Sequence, residues 1–158
     1  MRKRGRKIHH AVRAAPGLIA TTVDVRYELR LRTSAGAFTA GYADHQHYQD
    51  MVDTHNLLMI AVKMIGRDDS GICAMLEASS IAINNIADRW EETGKYGASG
   101  EEAKALRALA DTAMDFWARH SGALFRCAYI EMMKLRADDS ERLTRKTEEA
   151  CKTANVTG

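Results

Sequence analysis

The sequence predicts a mainly α-helical domain: a three-helix antiparallel bundle with an N-terminal β-strand or hairpin and a disordered basic arm. Three observations predict this class. Apolar residues recur at helical spacing over three long stretches, proline occurs once in 158 residues, and eight methionines accompany only three phenylalanines. A chain of this length fits one domain that folds without a disulfide or a metal ion.

Positive charge is concentrated at the start of the chain. Residues 1–32 hold nine basic and two acidic residues, a net charge of +7, whereas residues 33–158 hold 14 basic and 19 acidic residues, a net charge of −5. Residues 1–16 have too little apolar surface to offset the entropy of ordering, so we predict a flexible basic arm. The predicted nucleic-acid contacts are Arg2, Lys3, Arg4, Arg6, Lys7, Arg13, Arg26, Arg30 and Arg32.

A flexible polycation of this kind neutralises phosphates and favours nucleic acid as its partner. An acidic protein surface is the first alternative, and a contribution to solubility alone is the second. No aromatic residue interleaves with the basic residues of the arm, so stacking of bases on it is not expected.

Residues 23–32 alternate between apolar and charged side chains, a period of two that is typical of a β-strand. In a strand, one face would be formed by Val23, Val25, Tyr27, Leu29 and Leu31. Residues 23–31 could pair with a second copy, antiparallel about Tyr27, because every charge then faces its opposite and a homodimer results. The alternatives are a hairpin that turns at 34–36 and returns through 38–42, and neither arrangement.

Three amphipathic helices are expected in the domain that spans residues 17–135. They are predicted near residues 44–65, 70–93 and 99–135. Asp44 is placed to cap the first helix and Gly66 to end it, while Ser99 and Glu102 form a capping box for the third.

Two further features complete the chain. A kink is expected at 121–122 in the third helix, and residues 136–158 are predicted to be a charged, fraying helical tail.

No apolar run approaches the roughly 18 residues that cross a bilayer, and no apolar signal segment follows the basic residues 2–4. With three widely spaced cysteines, this indicates a cytoplasmic protein without a membrane partner.

Potential metal ligands and bases cluster in residues 44–55. His47 and Asp50 are three apart on a helix and could share a metal ion, but no HxxxH or HExxH pair exists, so we expect a polar helix face. His55 and His120 lie on apolar stripes and are interpreted as core histidines. Without a thiol–histidine pair or a Gly-rich phosphate loop, no catalytic residue, metal site or cofactor is predicted, and an enzyme is the least favoured class.

A basic N-terminus, an alternating strand and then helices resemble the ribbon-helix-helix DNA-binding family. The resemblance covers residues 2–32 and implies that Arg26, Arg30 and Arg32 occupy the outward-facing reading positions in the major groove. In that family a short helix follows the strand almost at once, whereas here about a dozen Gly- and Ala-containing residues intervene.

The arm, the strand and the helix that contains residues 50–53 also resemble a group of small proteins encoded in bacterial prophages. Residues 113–116 and His120 lie where similar patterns occur in that group, whereas Trp90 and Trp117 do not belong to the pattern. This resemblance implies a bacterial or phage origin and a cytoplasmic accessory role, and it identifies no site residue.

The sequence therefore predicts a non-enzymatic accessory protein that binds nucleic acid through its basic N-terminal arm. The alternative is a protein-interaction module, such as a phage-encoded inhibitor or adaptor of a host protein, that acts through a face of the helical bundle.

Overall fold

The structure is a computed structural model that describes residues 16–66 and 69–156, with side chains described over 25–66 and 69–140. Within these residues the chain forms five helices and no strand. The helices are α1 (Pro16–Ala40), α2 (His45–Ile65), α3 (Ser70–Thr93), α4 (Gly100–Arg119) and α5 (Gly122–Val156). The predicted mainly helical class is confirmed, whereas the predicted strand and the predicted count of three helices were wrong.

The segment 23–32, predicted as a strand, lies within α1. The side chains that α1 turns toward the rest of the domain recur at helical spacing and include Tyr27, Leu31, Ser34, Ala35 and Phe38. This stripe continues past the alternating segment, so burying it against α2 and α4 outweighs the local period of two. A helix also pairs its own backbone groups, whereas the described residues offer this strand no partner.

The strand-based pairings were therefore wrong as well. Val25 and Leu29 are 60% and 66% exposed, whereas Leu31, predicted to share their face, is 1% exposed and lies in the core. The side chain of Val23 lies outside the described residues. The predicted hairpin return, 38–42, instead contains the end of α1, where the Tyr42 N–H donates to the Ala37 carbonyl at 3.1 Å around a left-handed Gly41.

Helices α2 and α3 begin and end at signals that the sequence carries, and α4 begins at one. Ser99 accepts from the Glu102 N–H, and the Glu102 side chain reaches back to the Ser99 N–H, which forms the predicted capping box. Gly66 ends α2 and Gly94 ends α3, each in the left-handed conformation, with φ of 65° and 68°. The α2 and α3 starts follow Asp44 and Asp69, whose side chains accept helix N–H groups.

The predicted third helix, residues 99–135, is two helices. α4 ends at Arg119, His120 is extended with φ −118° and ψ 155°, and Ser121 precedes the start of α5. The expected kink at 121–122 is thus a complete break. The predicted tail from 136 is continuous with α5 as far as Val156.

Helix α2 is the central element of the domain. It packs against all four other helices, whereas α4 lies between α1 and α3, and α5 packs mainly on α2. The fully buried large apolar side chains are Leu31, Met51, Leu58, Ile86, Leu106 and Leu109. None of the described helices combines the length and apolar character that crossing a bilayer requires.

A partly buried ion pair between Arg89 and Glu102 stabilises the connection between α3 and α4. Arg89 donates to both carboxylate oxygens of Glu102, at 3.0 and 3.1 Å, and also to the Gly97 carbonyl. Glu102 Oε2 accepts the Ser99 N–H at 2.6 Å. Burial alone would raise the pKa of Glu102, but the hydrogen bonds from Arg89 and Ser99 outweigh it and lower that pKa to about 2.

We predict that acid weakens the fold through Glu102. A carboxylate whose folded pKa lies at about 2, below its ordinary 4.5, stabilises the folded state above pH 4.5 and loses that contribution as the pH falls toward 2. Glu102→Gln should therefore be less stable than the parent protein near neutral pH, and the difference should shrink between pH 4.5 and 2. Urea unfolding across this range measures it, with the exposed Glu101→Gln as control. A difference that stays constant with pH would contradict the prediction.

We also predict opposite outcomes for two leucines of α1. Leu31→Ala should lower the free energy of unfolding by about 2–5 kcal/mol because it opens a cavity in the core. Leu29→Ala should change it by no more than about 0.5 kcal/mol because that side chain is already in water. Denaturant unfolding of both variants makes the comparison. Equal losses would fit a strand face and would contradict the helix.

Candidate nucleic-acid interface

The three arginines of α1 that were predicted to contact nucleic acid are all exposed. Arg30 pairs with Asp50 of α2, and Arg32 pairs with Glu28 one turn earlier, with Nε and Oε1 3.0 Å apart. Arg26 forms no ion pair with any other residue of the described part. Among the described side chains, it therefore carries the uncompensated charge of this trio.

The remaining predicted contacts precede α1 in the chain. They lie outside the described residues: Arg2, Lys3, Arg4, Arg6, Lys7 and Arg13. So does the predicted arm 1–16, apart from Pro16, which begins α1.

A surface groove of about 580 Å³ runs between α1 and the first turns of α2, and we call it the α1–α2 groove. Its lining comprises Arg26, Leu29, Arg30, Thr33, Ser34, Gln46, His47 and Asp50. Most of its polar groups already have partners: Arg30, Ser34 and Gln46 donate to Asp50, Thr33 Oγ1 donates to the Leu29 carbonyl at 2.8 Å, and His47 contacts Asp44. The lining contains one carboxylate, that of Asp50, and the chemistry of the groove therefore depends on what that carboxylate binds.

Asp50 is held by three side chains and is 5% exposed. Ser34 Oγ donates to Oδ2 at 2.7 Å, Gln46 Nε2 donates to Oδ1 at 2.9 Å, and the Arg30 guanidinium also donates to Oδ1. Burial would raise the pKa of Asp50, but the hydrogen bonds from Arg30, Ser34 and Gln46 outweigh it and lower that pKa. The hydrogen bond to Asp50 raises the pKa of Arg30 in turn.

The helical spacing of both elements positions this network. Arg30 and Ser34 are one turn apart on α1, and Gln46 and Asp50 are one turn apart on α2, so each pair points the same way. The sequence analysis put Arg30 among the outward-facing charges of a strand and Asp50 on a polar helix face. The two i,i+4 pairs place these residues on single helix faces, but only the packing of α1 on α2 brings the two faces together.

The side chains of the predicted His/Asp cluster are engaged separately rather than together. Asp44 Oδ1 accepts the His47 N–H at 3.0 Å and lies 2.6 Å from His47 Nδ1, a capping arrangement at the start of α2. The His47 N–H holds the pKa of Asp44 below its usual value. Asp53 pairs with Arg136 of α5 and accepts from Gln49 Nε2 at 2.8 Å.

No shared metal position results from these contacts. His45 Nδ1 lies 2.7 Å from the hydroxyl of Tyr96, which belongs to the connection between α3 and α4. His45 is therefore engaged away from His47 and Asp50. Among the described residues, no group of three or more His, Cys, Asp or Glu is arranged to hold a metal ion. The cluster forms caps and interhelix contacts around α2.

The two histidines on apolar stripes also make structural hydrogen bonds. The Ser79 hydroxyl donates to the Leu76 carbonyl at 3.0 Å, so it accepts from His55 Nδ1, also 3.0 Å away. Burial lowers the pKa of His55. His120 Nδ1 donates to the Phe116 carbonyl at 2.7 Å, and its ring stacks on Phe116 with centroids 4.1 Å apart.

Exposed apolar side chains form a second kind of candidate surface. Val25 and Leu29 lie one turn apart on the outer side of α1. Tyr129, Ile130 and Met133 are 47%, 54% and 44% exposed on α5. Clusters of this kind are typical of protein-interaction surfaces when they are contiguous.

Comparisons with known proteins place the chain in no family. No protein-family model, curated protein or solved structure matches it. The two resemblances seen in the sequence therefore gain no support from relatives. The resemblance to ribbon-helix-helix proteins also loses the strand that carried it.

We predict that Asp50→Ala destabilises the protein by about 1–3 kcal/mol, because Ser34 is left buried without its acceptor and α1 loses its polar link to α2. The cost stays below that of a fully buried ion pair because the side chain of Arg30 is 57% exposed. Urea unfolding measures the loss. Glu101→Ala, which breaks the exposed pair with Lys104, is the control and should cost at most about 1 kcal/mol. A loss for Asp50→Ala no larger than that of the control would contradict the prediction.

Proposed function

We propose that the protein binds nucleic acid through its basic N-terminal segment and the α1–α2 groove. The observation that carries the proposal is that Arg26 and Arg30, one helical turn apart, line a surface groove on the helix that follows the most basic part of the chain. Arginine side chains bind phosphate groups strongly, through charge-assisted hydrogen bonds.

Charge distribution supports the same partner. The net charge of +7 in residues 1–32 contrasts with −5 in residues 33–158, so a polyanion is attracted to the first 32 residues of the chain and repelled by the others. Inside the groove, Asp50 is neutralised by Arg30, which leaves Arg26 to attract phosphate.

We further propose a non-enzymatic, cytoplasmic accessory role of bacterial or phage origin. The origin rests on the pattern shared with prophage-encoded proteins. The accessory role rests on the engagement of the polar clusters described above in caps and interhelix contacts, which makes binding the better-supported activity.

A protein-interaction module is the second candidate, and the exposed apolar residues favour it. Leu29 is 66% exposed between Arg26 and Arg32 on the outer side of α1, and Ile130 and Met133 are exposed on α5. Arginines and large apolar residues are enriched at protein interfaces. A host protein bound by such a face would be recovered with the intact chain and lost with Leu29→Glu.

We predict salt-dependent binding to nucleic acid that depends on the arginines named above. Fluorescence anisotropy of labelled duplex DNA, single-stranded DNA and RNA, titrated with the full chain at several salt concentrations, gives the slope of log K against log salt. Replacing the six basic residues of the arm with Gln should remove most of the affinity. On duplex DNA, Arg26→Ala should lower the slope by roughly 0.9, the value of one phosphate contact.

Arg119→Ala is the matched control, because Arg119 is an exposed arginine of α4 outside the α1–α2 groove. It should leave the slope unchanged. Absence of binding to every probe at about 50 mM salt, where several phosphate contacts are strong, would overturn the proposal. Equal effects of Arg26→Ala and Arg119→Ala would remove the groove from it.

A further inference from the structure

The break between α4 and α5 differs from the other helix ends of the domain. The first three helices, α1, α2 and α3, are each followed by a left-handed glycine, which ends a helix: Gly41, Gly66 and Gly94. His120 follows α4 with φ −118° and ψ 155°, an extended conformation that any residue adopts. Gly122, at the start of α5, is not among the left-handed glycines of the described residues. The backbone at this break therefore does not by itself prevent a helix from continuing.

The side-chain pattern also passes through the break. A helical spacing of three or four is kept by residues that the structure places at buried or partly buried positions: Ala113, Trp117, His120, Leu124 and Ala128. One continuous helix would present these residues as a single stripe. It would also supply the i→i−4 hydrogen bonds that the end of α4 and the start of α5 lack where the helix is broken.

Contacts across the break hold α5 back against the domain. Phe125 packs edge-on against Trp117 of α4 with centroids 4.9 Å apart, and Met132 is 4% exposed. Arg136 pairs with Asp53 of α2. Each of these contacts joins a residue of α5 to a residue that precedes the break. An α5 from a second copy would therefore supply the same contacts.

We propose that α4 and α5 join into one continuous helix in a dimer, in which α5 of each copy docks on α2 of the other. Exchange of an identical element needs no new contact surface, because each α5 takes the place that the other one leaves. Trp117 and Phe125 each lie four residues from Ser121. A two-fold axis at Ser121 would thus set Trp117 of one copy beside Phe125 of the other. The proposal is independent of nucleic-acid binding.

Gly122 offers two substitutions with opposite expected effects on such a dimer. Proline is tolerated at the first position of a helix, where Gly122 lies in the monomer, but it breaks the interior of a continuous helix. Gly122→Pro should therefore weaken the dimer by on the order of a thousandfold or more. Gly122→Ala should strengthen it by about fivefold, because alanine is favoured over glycine inside a helix and each dimer holds two such positions. In the monomer, a Cβ at this position meets nothing within 4 Å.

Sedimentation equilibrium of the full chain, refolded at micromolar to millimolar concentration, measures these effects. The parent protein should approach twice the 17.5 kDa mass of one chain at the highest concentrations. Parent and Gly122→Ala proteins that stay monomeric at every concentration would overturn the proposal. So would a dimer that Gly122→Pro leaves unchanged, because its contact would then lie elsewhere. Circular dichroism checks that each variant folds.

A mixing experiment tests whether α5 is the element that is exchanged. Asp53→Arg and Arg136→Asp each set like charges together in the monomer, and also in a dimer of that variant alone. In an exchanged heterodimer of the two variants, the two substituted residues meet at one site and the two native residues meet at the other, so both ion pairs are restored.

Native mass spectrometry of the two variants refolded together should therefore show mainly the heterodimer. Each variant refolded alone is the control and should form less dimer than the parent protein. A share of heterodimer no larger than random mixing gives would contradict the exchange of α5.

Discussion

The carboxylate of Asp50 is the contact on which the placement of α1 depends. It accepts hydrogen bonds from Arg30 and Ser34 of α1 and from Gln46 of its own helix, all around a side chain that is 5% exposed. A buried carboxylate is costly unless it is paired and hydrogen-bonded, and here both conditions are met from across a helix interface. The lowered pKa of Asp50 is the expression of that stabilisation. Because α1 is held at this point, the α1–α2 groove has defined walls.

The same contact determines how much positive charge the groove presents. Arg30 lines the groove, but its charge is balanced by Asp50, whereas Arg26 one turn earlier has no acidic partner in the described part of the chain. Toward the start of α1, the positive charge therefore changes from balanced at Arg30 to unbalanced at Arg26. This gradient continues into a segment whose net charge is +7 over residues 1–32. A polyanion that is attracted to the start of the chain would meet Arg26 as the first basic residue of the described fold.

The features of the fold that depend on neighbouring residues could be predicted from the sequence, whereas those that depend on contacts distant in the chain could not. The starts of α2, α3 and α4 and the ends of α2 and α3 follow from capping residues such as Ser99 and Gly66, whose effect is confined to neighbouring backbone groups. The segment 23–32 alternates as a strand does, yet its conformation depends on burying the stripe that continues to Phe38. The basic residues of the candidate site were predicted from charge alone, but the role of Asp50 was not, because Arg30 lies 20 residues away and meets it only if both segments are helical.

The exposed apolar residues lie on two helices, and both groups have basic neighbours. On α1, Leu29 lies between Arg26 and Arg32, so two copies meeting there would bring arginines together, and an acidic partner is favoured instead. On α5, Ile130 is exposed with Arg126 and Lys134 one helical turn away on either side, so two copies meeting there would also bring like charges together. Both surfaces combine apolar area with positive charge, and this combination suits an acidic partner better than a second copy of the chain.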